Sequence, residues 1–223
     1  MFVSTRTPRR TLAAATFALA AAATLAARPA TVSARPASAA AAAPTDAWLK
    51  GLKGKHRQLF DSPAAAGGVP LVHIMNYYDT LNKAYGVKDA DVSAVGTFYG
   101  ATTFYGVNDA VWAKYRIGEF LETVDPATGK PATANPWRAK PVILGMTLPQ
   151  ASIETLQRRG ATFILCNNAL TIFAGMLAKA RGLDAEAVYA DLKANILPGV
   201  ELIPGMVVAI GQAHAAGLSY HRQ

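Results

Sequence analysis

Cysteine is almost absent from this chain, whose 223 residues contain only Cys166. A single thiol excludes an internal disulfide framework and every zinc site built from several cysteines. Common functional motifs are missing as well: there is no G-x-x-x-x-G-K-[ST], no G-x-G-x-x-G, no C-x-x-C, no H-E-x-x-H and no G-x-S-x-G. Nucleotide-binding, zinc-protease and serine-hydrolase functions therefore lose their main support from the sequence.

Acidic residues are absent from the first 43 positions, which are rich in alanine and include five arginines. Without residues 1–39 the chain contains 17 Lys and Arg and 14 Asp and Glu, so its net charge falls from +8 to +3. The pI of about 9.7 is thus partly a property of the leader. Because nucleic-acid binding usually needs a basic face or stripe, we expect no nucleic-acid partner.

The leader has the features of an export signal. The segment 7–12, TPRRTL, resembles a twin-arginine motif, an uncharged run follows from 11 to 27, and Ala37-Ser38-Ala39 fits an A-x-A cleavage site. The uncharged run is marginal as a membrane span, and no other apolar stretch is long enough. We predict a signal peptide over 1–39 and a soluble periplasmic protein with no membrane span after its removal; a disordered Ala/Pro tail is the alternative.

After the leader, short apolar runs alternate with amphipathic segments. Strands are predicted at 69–75, 91–99, 142–144, 161–166, 200–203 and 218–221, and helices at 46–60, 77–85, 109–121, 150–159, 167–181, 184–195 and 205–216. This order favours a three-layer α/β fold with a central, mostly parallel sheet of about five strands and helices on both faces. Residues 40–68 are predicted to be a helical extension and linker, 69–223 the α/β domain, and 125–141, with four prolines, a loop.

Cys166 is the most informative single residue, because it ends one predicted strand and begins a predicted helix. A thiol in this position faces backbone N–H groups and the positive end of a helix dipole, and both favour the reactive thiolate. A small buried hydrophobic residue is the equally simple alternative.

Other residues near predicted strand ends are candidates to line a site around this thiol. They are Asn76, Tyr99, Gly100 and Asn108, together with Asn167 and Asn168 beside the cysteine. Asn108 is also a good helix cap, and Gly100 can serve only to shape a turn. A soft-metal site for Cu(I) could draw on Cys166, His73, Met75, Met146 and Met206, with His73 and Met75 on one face of a predicted strand; core-filling methionines are the alternative.

Two segments resemble the DsrE/DsrF-like family. Residues 197–208 with 216–220 resemble the closing motif of that family, and residues 156–168 resemble its helix, glycine, strand and cysteine. The resemblance covers about residues 69–221 and implies a compact α/β domain that often assembles as trimers or hexamers. It also implies that a strand-end cysteine, here Cys166, carries sulfur as a persulfide. The short sulfur-relay members lack the segment 116–149.

Three functions remain open at this point. The first is an exported sulfur-handling protein in which Cys166 holds sulfane sulfur, the backbone N–H groups of Asn167 and Asn168 stabilise the anion, and a partner protein donates or accepts the sulfur. The second is a binding module without turnover, an oligomer that presents the loop 125–141 and a pocket for a small ligand or partner. The third is a soft-metal carrier. We expect no resident cofactor, and the sequence does not decide whether there is turnover.

Overall fold

The structure is a computed structural model that describes residues 47–223. The predicted signal peptide and its cleavage site lie outside these residues. The strands are β1 His56–Asp61, β2 Val92–Phe98, β3 Val142–Ile143, β4 Met146–Thr147, β5 Thr162–Cys166, β6 Val200–Ile203 and β7 Ser219–Arg222. Five of them form a parallel sheet in the order β6-β5-β2-β1-β7, and β3 and β4 form a small antiparallel hairpin. The predicted α/β fold is confirmed.

Eight α-helices lie in the described part of the chain, with short 3-10 turns at Ala66–Gly68, Asp89–Asp91, Gly100–Gly106 and Pro149–Ala151. They are α1 Ala47–Lys50, α2 Val69–Tyr85, α3 Asp109–Tyr115, α4 Ile117–Phe120, α5 Ile153–Arg158, α6 Asn167–Arg181, α7 Ala185–Ala194 and α8 Met206–Ala215. None of those within residues 47–223 combines the length and the apolar character that crossing a bilayer requires.

The helices divide unequally between the two faces of the sheet. From β1 through β2 and β5 to β6 the chain steps in one direction, so right-handed connections place α2 to α7 on one side, which we call the broad face. The connection from β6 to β7 steps back across the sheet, so α8 lies on the opposite side together with α1; this is the narrow face. Consecutive residues of a strand point to opposite faces of the sheet: Phe60 packs in the broad-face core and Leu59 in the narrow-face core.

Two predicted elements are wrong, and both precede β2. A helical extension is predicted over 40–68, but in the described part of that range, 47–68, the structure has the short α1 and then β1, an inner strand between β2 and β7. Leu59 and Phe60 are consecutive and both buried, which a strand between two cores allows and a surface helix does not. The Arg57 guanidinium supports the turn before β1 by donating to the carbonyl oxygens of Gly54 and Leu52.

The second error is the strand predicted at 69–75, which is the first half of α2. Pro70 lies in the first turn, where proline is tolerated, and Leu71, Ile74 and Tyr78 recur at helical spacing toward the broad-face core. A seven-residue apolar run does not by itself separate a buried strand from a helix, and the continuation of the pattern to Tyr78 decides it.

The segment 116–149 packs on the broad face. Its loop 125–141 contains no helix or strand, as predicted, and Trp137 and Asn135 are among the side chains that hold it in place. The Trp137 ring lies 4.2 Å from that of Tyr105 and 6.1 Å from that of Phe98 (centroid to centroid), and Asn135 Nδ2 donates to the carbonyl oxygens of Tyr105 and Val107. The segment therefore does not cover Cys166, which belongs to the narrow-face core.

Candidate functional site

Cys166 is the last residue of β5 and the N-cap of α6. Its register partner across the sheet is Ile203, the last residue of β6. After β5 the chain turns into α6 on the broad face, and after β6 it turns into α8 on the narrow face. Parallel sheets usually bind ligands where connections diverge in this way at the carboxyl ends of adjacent strands. We call this place the Cys166 crevice; it consists of Cys166, Asn168 and the turn 203–205.

The sulfur atom of Cys166 accepts two backbone hydrogen bonds. The N–H of Ala169 lies 3.4 Å from Sγ in the first turn of α6, and the N–H of Met206 lies 3.3 Å from Sγ at the start of α8. The positive ends of two helices, of 15 and 10 residues, thus meet at one sulfur atom. Both hydrogen bonds and both helix dipoles are therefore directed at this atom. The residue is 5% exposed.

The backbone N–H groups of Asn167 and Asn168 are not the donors that Sγ accepts from. The N–H of Asn168 donates to the carbonyl oxygen of Pro204 at 3.2 Å, so it ties α6 to the turn after β6 and does not reach Sγ. Asn167 Oδ1 accepts the hydroxyl of Tyr189 at 2.7 Å. The donor from α6 is Ala169, three residues beyond the cysteine, which is the usual spacing for an N-cap side chain. The sequence gives no signal for the second donor, 40 residues away.

Two cavities flank the turn 203–205. One, of about 190 Å³ on the α8 side, is lined by Asn168, the turn itself, Val208, Ala209 and Gln212. The other, of about 230 Å³, is lined by Asn167, Tyr189, Lys193 and residues 202–204. A Cβ atom at Gly205 would lie 3.3 Å from Asn168 Nδ2, so the absence of a side chain there keeps the first cavity open.

A second polar cluster lies at the carboxyl ends of β1, β2 and β7, and the sequence analysis missed its centre, Asp61. This carboxylate is 1% exposed and accepts the Tyr99 hydroxyl at 2.7 Å and the Tyr220 hydroxyl, while Arg222 Nη1 lies 3.7 Å away. Burial raises the pKa of Tyr99, and the bond to Asp61 and its charge raise it further. The bond to Asp61 likewise raises the pKa of Tyr220. Both phenols therefore stay protonated and act as donors.

The remaining predicted site residues serve the local fold. Tyr99 packs against the same narrow-face core as Cys166, but its hydroxyl is directed to Asp61. Gly100 has φ of +58°, and a Cβ there would lie 2.9 Å from the carbonyl oxygen of Pro63, so glycine is required for the turn. The Asn108 side chain caps α3, since Oδ1 accepts the N–H groups of Ala110 and Val111.

Asn76 and the predicted copper ligands do not assemble around Cys166. Asn76 is an exposed residue of α2. His73 and Met75 also lie on α2, on the broad face, whereas Cys166 and Met206 are in the narrow-face core and Met146 is 53% exposed in the β3–β4 hairpin. The five-residue soft-metal site is therefore wrong. Across residues 47–223, no group of three or more His, Cys, Asp or Glu side chains is placed to hold a metal ion.

Comparisons of the chain with protein-family models, with curated proteins and with solved structures found no match. The resemblance to the DsrE/DsrF-like family therefore stays a prediction, and function has to be argued from the site.

Proposed function

We propose that the protein is a sulfur carrier in which Cys166 accepts sulfane sulfur and holds it as a persulfide. The observation that carries this proposal is the pair of backbone N–H groups, from Ala169 and Met206, that meet at Sγ. The position of the thiol, at the carboxyl ends of strands whose connections diverge, also supports it. The family resemblance around residues 156–168 points to the same chemistry.

The transfer step needs no oxidant. The Cys166 thiolate, its proton released to solvent, attacks the terminal sulfur of a persulfide or polysulfide donor. The donor's S–S bond breaks, its electron pair leaves with the remaining donor thiolate, and a new S–S bond forms on Cys166. The product is again an anion, and the two helix N-termini stabilise charge beside Sγ in both states. The two cavities lie beside the turn 203–205, next to Cys166 but not lined by it, and a small sulfur donor would approach through one of them.

The cellular context forms part of the same proposal. The leader predicts that the protein is exported to the periplasm. There a partner protein would deliver or remove the sulfur. Lys193, which lines one of the two cavities, offers a positive charge to an anionic donor. The trimer or hexamer implied by the resemblance stays a prediction.

The direct test is the intact mass of the protein before and after incubation with inorganic polysulfide, without reductant. We expect the wild type to gain one or more sulfur atoms that a thiol reductant removes. Cys166→Ser should gain none, because the chain has no other cysteine. An unchanged thermal unfolding curve would show that the variant is folded, and sulfur that still loads onto it would contradict the proposal.

The role of the N–H donors can be tested separately at Met206, the first residue of α8. Proline is tolerated at this position, and the extended conformation of Gly205 suits a residue before proline. Met206→Pro removes the N–H and the buried side chain, whereas Met206→Ala removes the side chain alone. We expect alkylation of Cys166 at neutral pH to be about tenfold slower in Met206→Pro than in Met206→Ala. Equal rates would mean that this N–H does not activate the sulfur.

The burial of Cys166 favours a second candidate function, a binding module in which the thiol is only packing. The loop 125–141 supplies a cavity of about 330 Å³ that Arg138 and Lys140 help to line. This alternative predicts that iodoacetamide leaves native Cys166 unmodified and that polysulfide leaves the mass unchanged. Rapid alkylation of the folded protein would argue against it.

A further inference from the structure

Two histidines face each other on the broad face, away from the Cys166 crevice. His73 is on α2 and His221 is on β7; their ring centroids are 5.2 Å apart and the rings are nearly perpendicular, at 89°. Both line an open groove of about 280 Å³, together with Gln58, Phe60, Asn76, Tyr77 and Thr80. Nothing in the proposed sulfur chemistry uses this groove.

The fold places these side chains together for simple reasons. On α2, His73 and Tyr77 are four residues apart and therefore lie on one face of the helix. On the sheet, His221 is the register partner of Phe60, and Gln58 is two residues before Phe60 on the same face. Because β7 is an edge strand, the groove between it and α2 is open to solvent on that side.

The His73 ring has a nitrogen without a partner. Its Nδ1 is shielded from solvent and forms no hydrogen bond with any residue of the described range 47–223. A neutral imidazole carries one nitrogen lone pair that can accept a proton or bind a metal. The orientation of this ring is therefore not fixed by a hydrogen bond at Nδ1. The ring can turn so that one of its nitrogens faces His221.

We propose that His73 and His221 form a two-imidazole site for a divalent transition-metal ion of the Zn²⁺ class. Two imidazoles that bind one tetrahedral ion through nitrogens at about 2.0 Å have ring centroids about 5 Å apart, close to the observed separation. Water completes the coordination, with the side-chain amide oxygens of Gln58 and Asn76 as further ligands within the groove. With only two imidazoles and no carboxylate lining the groove, the site binds the ion reversibly and more weakly than a structural zinc site.

The test is calorimetric titration of the Cys166→Ser chain with ZnCl₂, since this background removes the thiol as a competing ligand. The four histidines of the chain allow matched controls. We expect one Zn²⁺ per chain, with binding at least about tenfold weaker in His73→Gln and in His221→Gln. His56→Gln, an exposed position on β1, and His214→Gln, on α8, should bind as the parent does.

A spectroscopic readout guards against variants that simply misfold. Co²⁺ bound by the parent should give a visible absorption spectrum that Zn²⁺ removes, and the two groove variants should lack it while keeping the parent's unfolding temperature without metal. Absence of binding by either ion at millimolar concentration would overturn the proposal. So would wild-type affinity in His73→Gln or His221→Gln, or loss of the ion in either control.

Discussion

The two faces of the sheet differ in how they are covered and in what they bury. The broad face lies under α2 to α7, and its core holds large aromatic side chains such as Phe98, Phe163 and Trp112. The narrow face lies under α1 and α8 alone, and its core is mostly aliphatic, with Cys166 among its buried residues. The broad face therefore holds the larger core and should supply most of the stability, whereas the narrow face holds the buried Cys166.

This division follows from strand geometry. Along β5, Phe163 and Leu165 point to the broad face, while Ile164 and Cys166 point to the narrow face. A buried polar group has to be matched by donors or acceptors. On the narrow face those partners are available at the carboxyl edge, where α8 begins and where β7 places Tyr220 beside Asp61.

The largest expected effect is on the broad face, at Phe163. This side chain is buried and stacks on Phe98, with ring centroids 5.3 Å apart and planes within 6°. Phe163→Ala should lower the free energy of unfolding by about 3–5 kcal/mol, measured by urea denaturation. The control is its neighbour on the narrow face, where Ile164→Val should cost about 0.5–1.5 kcal/mol. A loss well below about 3 kcal/mol in Phe163→Ala would contradict the larger contribution of the broad face.

The next effect concerns the narrow face, at Tyr99. Tyr99→Phe deletes a hydroxyl that donates to the buried Asp61 carboxylate, and we expect a loss of about 2 kcal/mol near neutral pH. The folded-state pKa of Tyr99 is raised. Its contribution to stability is therefore complete below the unfolded-state value of about 10 and is lost as the pH rises through the folded-state value.

Chemical denaturation between neutral and alkaline pH measures this contribution. The wild type should lose its advantage over Tyr99→Phe as the pH rises beyond about 10. Tyr220→Phe is the matched control. Tyr220 is 39% exposed, so water can replace part of the hydrogen bond that its hydroxyl donates to Asp61, and the loss of stability should be smaller. If Tyr99→Phe is as stable as the wild type at neutral pH, the Asp61 cluster contributes nothing to the narrow face.

A smaller effect separates structural from functional roles at Asn108. Asn108→Ala removes the cap of α3 and should cost about 1 kcal/mol, while sulfur loading of Cys166 stays unchanged. Asn108→Ser keeps a capping oxygen but not the amide that donates to Asn195 Oδ1, so it should recover part of the loss. Slower sulfur loading of Cys166 in either variant would mean that Asn108 contributes to the site as well as to the cap of α3. Thermal unfolding and intact mass, measured on the same samples, decide between the two.

Most of the fold was predictable because its later elements carry strong local signals. The continuous apolar run of β5, the polar cap at Asp184 and the glycine after α6 fix the ends of these elements almost to the residue. The failures at β1 and α2 have different causes. Only two residues of β1 are apolar, and its place as an inner strand depends on β2 and β7, so its local pattern gives little signal. At α2 the apolar run 69–75 is short, and only the continuation of the helical spacing to Tyr78 distinguishes a helix from a strand.

The site was predictable in part, for the same reason. The place of Cys166 at a strand end follows from local sequence, and so does the Ala169 donor of its own helix. The Met206 donor and the Asp61–Tyr220 bond depend on the order of the strands in the sheet, which joins residues 40 and 159 positions apart. No local pattern encodes such contacts, and for that reason the sequence analysis does not predict Met206 as a donor to Sγ.

The smallest expected change in stability is at Gly205. The informative effect of a substitution there is on the rate at which Cys166 takes up sulfur. Its backbone is extended, so Gly205→Ala introduces no backbone strain, and the new Cβ meets only the flexible Asn168 amide at 3.3 Å. We expect stability within about 0.5 kcal/mol of the wild type. We also expect sulfur loading of Cys166 to be a few times slower, because the methyl group narrows the adjacent cavity.

Gly211→Ala is the matched control for this substitution, since a Cβ there meets nothing within 4 Å. It should load sulfur at the wild-type rate, and alanine in the middle of α8 should raise stability slightly. If Gly205→Ala also loads at the wild-type rate, the sulfur does not enter through the cavity on the α8 side. The route would then lie on the other side of the turn, beside Lys193, where Lys193→Ala should slow loading by an anionic polysulfide.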